Sequence, residues 1–189
     1  MPQLLNACEY LLDRRLAAGG ADRTALTGSA GDLTYAQLHD RVCRTAAGLR
    51  GLGLQPEQRM LMLMADSPEF VTVYLAAMRI GAIPVPVSTM LHADGVADLL
   101  RDSRARLLAL TPEFVGQAVE AAAAAPELAG IILGGSALAD PAAAPLAGSS
   151  VPVHLLAELA AGSRDETVYD TSPDSPAFWL YTSGTTGLP

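Results

Sequence analysis

The chain has 189 residues, 50% of them hydrophobic and 17% charged, which is the composition of a folded domain with a substantial core and excludes a disordered segment. The net charge is −8 and all twelve basic residues are Arg, a balance that argues against nucleic acid or an anionic membrane as partner. An anionic nucleotide stays open as a ligand, held by local backbone dipoles and not by bulk charge.

Residues 3–18 predict an amphipathic helix, with Leu4, Leu5, Cys8, Leu11, Leu12 and Leu16 at helical spacing and Gly19-Gly20 as its stop. Residues 24–34 predict a small hairpin around the Gly28-Ser29-Ala30-Gly31-Asp32 turn. Thr34 and Gln37 form a capping box that opens the next helix, whose stripe is Tyr35, Leu38, Val42, Ala46 and Leu49. His39 falls among charged residues and reads as solvated. Cys8 and Cys43 lie far apart without metal-ligand spacing and read as buried thiols in a reducing cytoplasm. No signal-peptide pattern opens the chain, and no apolar run approaches the ~20 residues of a membrane span.

Two strand–helix units of one design follow. Arg59–Met64 is a continuous apolar run, the mark of a strand buried on both faces, and it leads into Ser67-Pro68-Glu69-Phe70, with Ser as N-cap and Pro at the first helical position. Arg106–Leu110 and Thr111-Pro112-Glu113-Phe114 repeat the pattern, which predicts neighbouring units of one parallel sheet. Between them, alternate prolines in Ile83-Pro84-Val85-Pro86-Val87 predict an edge or irregular strand. A helix over 92–103 turns Val96, Leu99 and Leu100 inward, with His92 at its start as a capping or pocket residue. Residues 129–133 predict a strand, 136–152 a surface excursion, 154–161 a short helix and 163–176 a solvated acidic linker. The expected fold class is α/β, a mostly parallel sheet with helices on both faces.

The chemistry concentrates at the end of the sequence. The apolar, aromatic Ala177-Phe178-Trp179-Leu180 predicts a buried strand, and Tyr181-Thr182-Ser183-Gly184-Thr185-Thr186-Gly187-Leu188-Pro189 follows at once. Glycines admit an anion close to the backbone, successive N–H groups form a nest, and small hydroxyls add donors. Neither the P-loop pattern G-x-x-x-x-G-K-[ST] nor the dinucleotide fingerprint G-x-G-x-x-G is present, and no G-x-S-x-G surrounds Ser183.

These nine residues resemble the phosphate-loop signature of the adenylate-forming enzymes, Y-[ST]-S-G-[ST]-T-G-x-P-K-G, matching every position up to Pro189. That superfamily includes acyl- and aryl-CoA synthetases, adenylation domains of peptide synthetases and luciferases. The lead-in Phe178–Tyr181 looks most like the benzoate-CoA ligase branch, and the segment over 30–115, with its Gly-Ala-Ile-Pro-Val-Pro-Val run, also resembles acyl-CoA synthetases. The resemblance implies an ATP-dependent carboxylate-CoA ligase using ATP, Mg²⁺ and CoA, in a cytoplasmic enzyme that could pair as a homodimer. It implies that Thr182, Ser183, Gly184, Thr185, Thr186 and Gly187 surround the β- and γ-phosphates. Residues 1–189 are then part of an N-terminal domain, with catalytic residues expected downstream and the segment alone inactive. A peptide-synthetase adenylation domain and a non-catalytic nucleotide-binding or interaction module remain the alternatives.

Overall fold

The computed structural model describes residues 5–28, 31–135 and 141–182. They form two compact units. One comprises Met1–Glu57, Asp66–Ile83 and Glu158–Ala177, and the other Gln58–Ala65, Pro84–Ala157 and Phe178–Pro189.

The first unit is helical. A π-helical turn, Glu9–Asp13, runs into α1, Arg14–Ala17, and buries Leu12. The expected hairpin is the antiparallel pair β1, Thr24–Leu26, and β2, Leu33–Thr34; Ser29 and Ala30 of its turn lie outside the described residues. The capping box forms as read: the Gln37 N–H donates to Thr34 Oγ1 at 3.2 Å and the Thr34 N–H to Gln37 Oε1 at 2.9 Å. It opens α2, Tyr35–Gly51, which buries Leu38, Val42, Ala46 and Leu49 and packs against α3, Pro68–Arg79. Ser67 caps α3 by accepting the Phe70 N–H at 3.1 Å, with Pro68 at the first helical position.

Arg79, only 1% exposed, is the polar centre of this unit. Its guanidinium donates to both Asp13 carboxylate oxygens at 2.8 and 3.0 Å and to the Glu166 carbonyl at 2.5 Å, while Cys8 Sγ lies at 3.9 Å. Burial acts to raise the Asp13 carboxyl, but the hydrogen bonds and charge of Arg79, with His39, outweigh it and hold Asp13 below the ordinary carboxylate range. His39 is therefore not a solvated residue: it is buried, with Nε2 3.3 Å from Asp13 Oδ1. Sequence periodicity put it on the polar face of α2; the neighbours that bury it come from residues distant in the chain.

The stretch 163–176 is likewise no free linker. The Tyr169 N–H donates to the Arg79 carbonyl at 2.9 Å and the Leu5 N–H to the Thr171 carbonyl at 2.8 Å. Asn6 Nδ2 donates to Met78 and Tyr169 carbonyls, and Arg50 pairs with Asp165. The Tyr169 ring lies over Gly81, where φ is +77° and an added Cβ would stand 2.4 Å from Cδ1.

The second unit carries the sheet, in the order β4-β3-β5-β6-β7, flanked by helices. Its strands are β3, Arg59–Leu63; β4, Ile83–Pro86; β5, Leu107–Leu110; β6, Gly130–Leu133; and β7, Val153–Leu155. The pairings β3–β5, β5–β6 and β6–β7 are all parallel, and Met60–Leu63 and Leu107–Leu110 are buried throughout, as continuous apolar strands should be. The proline-bearing β4 takes the edge, where missing ladder donors do least harm. Strand order reverses between β3 and β5, which makes their carboxyl ends a topological switch point.

The two strand–helix units differ in their caps. After β5 the Thr111-Pro112-Glu113-Phe114 echo becomes a 3₁₀ turn, Pro112–Phe114, before α5, Val115–Ala122. Thr111 sits at the N-cap of this turn without a side-chain capping bond; its Oγ1 instead accepts the Ala65 N–H at 3.1 Å, tying the ends of β3 and β5 together. The helix expected over 92–103 is α4, Ala93–Ser103, with Val96, Leu99 and Leu100 buried. Residues 136–140 lie outside the described residues; Pro141–Gly148 is a 3₁₀ segment with Leu146 buried. β7 was hidden in the run read as a helix over 154–161, whose true helix is α6, Leu156–Ala161.

Candidate functional site

Of the expected phosphate ligands, Thr182 is described and exposed; Ser183, Gly184, Thr185, Thr186 and Gly187 lie outside the described residues. What the structure gives is the run that delivers the chain to them. The run Ala177–Leu180, expected as a buried strand, joins no ladder, and Phe178, Trp179 and Leu180 are 48%, 37% and 56% exposed. It is tied to the sheet by a backbone bond in which the Trp179 N–H donates to the Pro84 carbonyl of β4 at 3.1 Å. An apolar pattern predicts burial only where a neighbour covers it, and here Phe178–Leu180 stay exposed.

Two side chains add to that anchor. The Trp179 and Tyr181 rings stack at 5.6 Å with planes 21° apart. Tyr181 Oη donates to Asp102 Oδ2 at 2.6 Å, the short distance of a charge-assisted bond. Asp102 lies in the last turn of α4, and the carbonyl of the adjoining Ser103 accepts from Arg59 Nε at 2.6 Å, at the start of β3. Burial, then the hydrogen bond and charge of Asp102, push the Tyr181 phenol above its ordinary value, so it remains the donor across neutral pH. Nothing in the sequence marked Asp102: an acid at a helix end carries no motif, and its partner stands 79 residues away.

Other clusters offer less chemistry. Asp13, His39 and Cys43 superficially suggest a nucleophile triad, but His39 Nε2 faces both Asp13 Oδ1, at 3.3 Å, and Cys43 Sγ, at 3.6 Å, and Cys43 is fully buried. Cys8 and Cys43 are both free, buried thiols, as read. An apolar cleft of about 320 Å³ in the helical unit is lined by Leu5, Tyr10, Leu11, Met78, Pro173 and Pro176. Its polar groups serve the fold: Asn6 binds two carbonyls and Thr171 Oγ1 donates to the Leu5 carbonyl at 2.6 Å. His92 is the N-cap residue of α4 without a side-chain capping bond, and it borders a shallow depression with Asp94, Gln117 and Glu120. Among the described residues no group of three or more His, Cys, Asp or Glu could hold a metal ion, and no helix is long and apolar enough to cross a membrane.

The described residues form a parallel α/β sheet with an aromatic run docked on its edge, followed in sequence by a Ser/Thr/Gly-rich stretch. Comparison with known proteins identifies the class. The chain belongs to the AMP-binding enzyme family, whose model matches residues 12–189. It is 34% identical over 190 residues to the benzoate–CoA ligase of Thauera aromatica, covering 100% of this chain and 34% of that protein. It is 36% identical over 187 residues to the 3-hydroxybenzoate–CoA ligase of Aromatoleum sp. (strain CIB), covering 98% of this chain and 33% of that one. The crystal structure of an anthranilate CoA ligase in complex with anthranoyl-AMP superposes with a TM-score of 0.86 at 25% identity, over 99% of this chain and 34% of the other. The chain thus spans about a third of the length of the relatives it matches.

Proposed function

We propose that this chain forms the amino-terminal part of an ATP-dependent ligase that activates an aromatic carboxylate as its adenylate and passes the acyl group to coenzyme A. The observation that carries the reading is the sequence Tyr181–Pro189, which follows a run docked on the edge of a parallel sheet. Three relatives named for ligation of benzoate, 3-hydroxybenzoate and anthranilate to CoA favour an aryl acid, with the ring substituent open.

In the first step a carboxylate oxygen attacks the α-phosphorus of ATP, the bond to the β-phosphate oxygen breaks, and pyrophosphate leaves. In the second the CoA thiol attacks the acyl carbonyl and AMP departs, the thiol proton going to solvent or a base. The role of this chain is in the first step. Negative charge moves onto the leaving pyrophosphate, and fixed N–H and O–H donors stabilise it, each worth about 3 kcal/mol where such a donor is removed from other enzymes. Thr182, Ser183, Gly184, Thr185, Thr186 and Gly187 supply these donors around the β- and γ-phosphates. Mg²⁺ brought with the nucleotide would share in neutralising the phosphate charge as pyrophosphate leaves. The reading includes a reducing, cytoplasmic setting, which suits two unpaired thiols.

The test is product analysis. The enzyme carrying this chain, given ATP, CoA and a panel of benzoate, hydroxybenzoates, aminobenzoate and acetate, is expected to release AMP and pyrophosphate and to form aryl-CoA. Formation of ADP, or turnover with acetate alone, would overturn the reading. Adenylate formation without transfer to CoA would point to a carrier-protein thiol as acceptor.

A further inference from the structure

The geometry points to Asp102 as a positioning residue for the phosphate loop, acting through Tyr181. The inference rests on the phosphate-binding reading of Thr182–Gly187. Three contacts fix the last residues before that stretch: the Trp179 N–H on the Pro84 carbonyl at 3.1 Å, the stack of Trp179 on Tyr181, and the Tyr181 phenol on Asp102 at 2.6 Å. Only the last holds Tyr181 by a hydrogen bond to a charged group, and Thr182 is the next residue.

Asp102 is placed against local preference. The C-terminal end of a helix carries partial negative charge, so a carboxylate in the last turn of α4 is disfavoured there. Arg101, beside it, pairs with Asp98 at 2.5 Å. The backbone that presents Asp102 is nonetheless held firmly. Ser103 is fully buried, its hydroxyl donates to the Leu99 carbonyl at 2.6 Å, and its carbonyl receives Arg59 Nε. The following Arg104 adopts the left-handed conformation, φ 52°, that ends α4. A fixed acid, unfavourable for its own helix and satisfied by a phenol next to a phosphate-binding stretch, fits a local rule broken at a functional site. Asp102 acts through Tyr181 alone: it fixes the residue that directly precedes Thr182.

The test is a double-mutant cycle in the full-length enzyme carrying this chain, using carboxylate-dependent ATP–pyrophosphate exchange. Asp102→Ala and Tyr181→Phe are each expected to lower kcat/KM for ATP roughly fivefold, a modest value because the bond is exposed, with KM for the carboxylate unchanged. The double variant should be no worse than either single. Asp102→Asn, whose amide oxygen still accepts from the phenol, should recover most of the loss. The circular dichroism of all three single variants of the full-length enzyme should match the parent. Full activity of Asp102→Ala and Tyr181→Phe, or losses that multiply in the double variant, would overturn the proposal and leave the functional reading intact. Absence of exchange in the unaltered enzyme would instead defeat that reading, and this proposal with it.

Discussion

Asp13→Ala is expected to be far more damaging than loss of a half-exposed acid usually is. The reason is Arg79, whose side chain is 1% exposed and whose two terminal nitrogens reach the Asp13 carboxylate at 2.8 and 3.0 Å. Remove that carboxylate and the guanidinium keeps only the Glu166 carbonyl and the distant Cys8 sulfur. Breaking a buried ion pair from one side costs about 3–5 kcal/mol, since the remaining charge stays buried and unpaired. Asp13 itself is 27% exposed, so water can enter at its end, and the lower figure, about 3 kcal/mol, is expected. For a chain of this size that corresponds to a fall in Tm of roughly 6–12 °C. Urea and thermal denaturation followed by circular dichroism would measure it. Arg79→Met should cost less than Asp13→Ala, because the freed carboxylate can be hydrated, and the double variant Asp13→Ala/Arg79→Met should recover at least half of the single loss. A cost below about 1 kcal/mol for Asp13→Ala, or a double variant equal to the sum of the singles, would refute this account of the cluster.

Further expectations concern the same fold and the loop. Gly81→Ala combines a positive φ with a Cβ 2.4 Å from the Tyr169 ring, and should destabilise by about 2–4 kcal/mol, read by the same denaturation; Tyr169→Ala should relieve part of it. Because Asp13 titrates below its ordinary value in the folded state, the stability it contributes is present above the unfolded value of 3.8 and is lost as pH falls through the lower folded value; Asp13→Asn should flatten that acid limb in a pH series of melting curves. Burial, opposed by Arg79, pushes the Cys8 thiol up to about 12, so its contribution is complete below pH 9.0 and disappears as pH rises towards 12; Cys8→Ala should make the alkaline limb shallower. Thr186→Ala removes one hydroxyl donor from the proposed phosphate loop and should lower kcat for adenylation by about 10²-fold, with little change in KM for the carboxylate.

Much of the fold was legible because it is written in local or strictly periodic signals. The Thr34–Gln37 capping box, the Ser67 cap with Pro68 behind it, the buried run Met60–Leu63 and the proline-marked edge strand β4 each follow from a few neighbouring residues. The misreadings share one cause, which is dependence on residues far away in sequence. His39 looks solvated until Asp13 is packed against it, and the acidic stretch after Ser163 looks like linker until Arg50 and Arg79 claim it. The Thr111 echo of Ser67 makes no capping bond, and its hydroxyl turns instead to Ala65, 46 residues away. At the proposed site, the reading of Thr182–Gly187 as phosphate ligands rests on the motif alone, since phosphate binding by backbone needs glycines and small hydroxyls in one continuous run. The anchor of Tyr181 was not legible, because Asp102 acts across the fold on a phenol 79 residues later.

The central claim, that this chain supplies the phosphate loop of a carboxylate-activating enzyme, is tested most directly by ATP–pyrophosphate exchange in the full-length enzyme carrying it. Labelled pyrophosphate should enter ATP only when an aromatic carboxylate such as benzoate is present, without any need for CoA. Exchange that proceeds equally without a carboxylate, or no exchange with any acid of the panel, would contradict it.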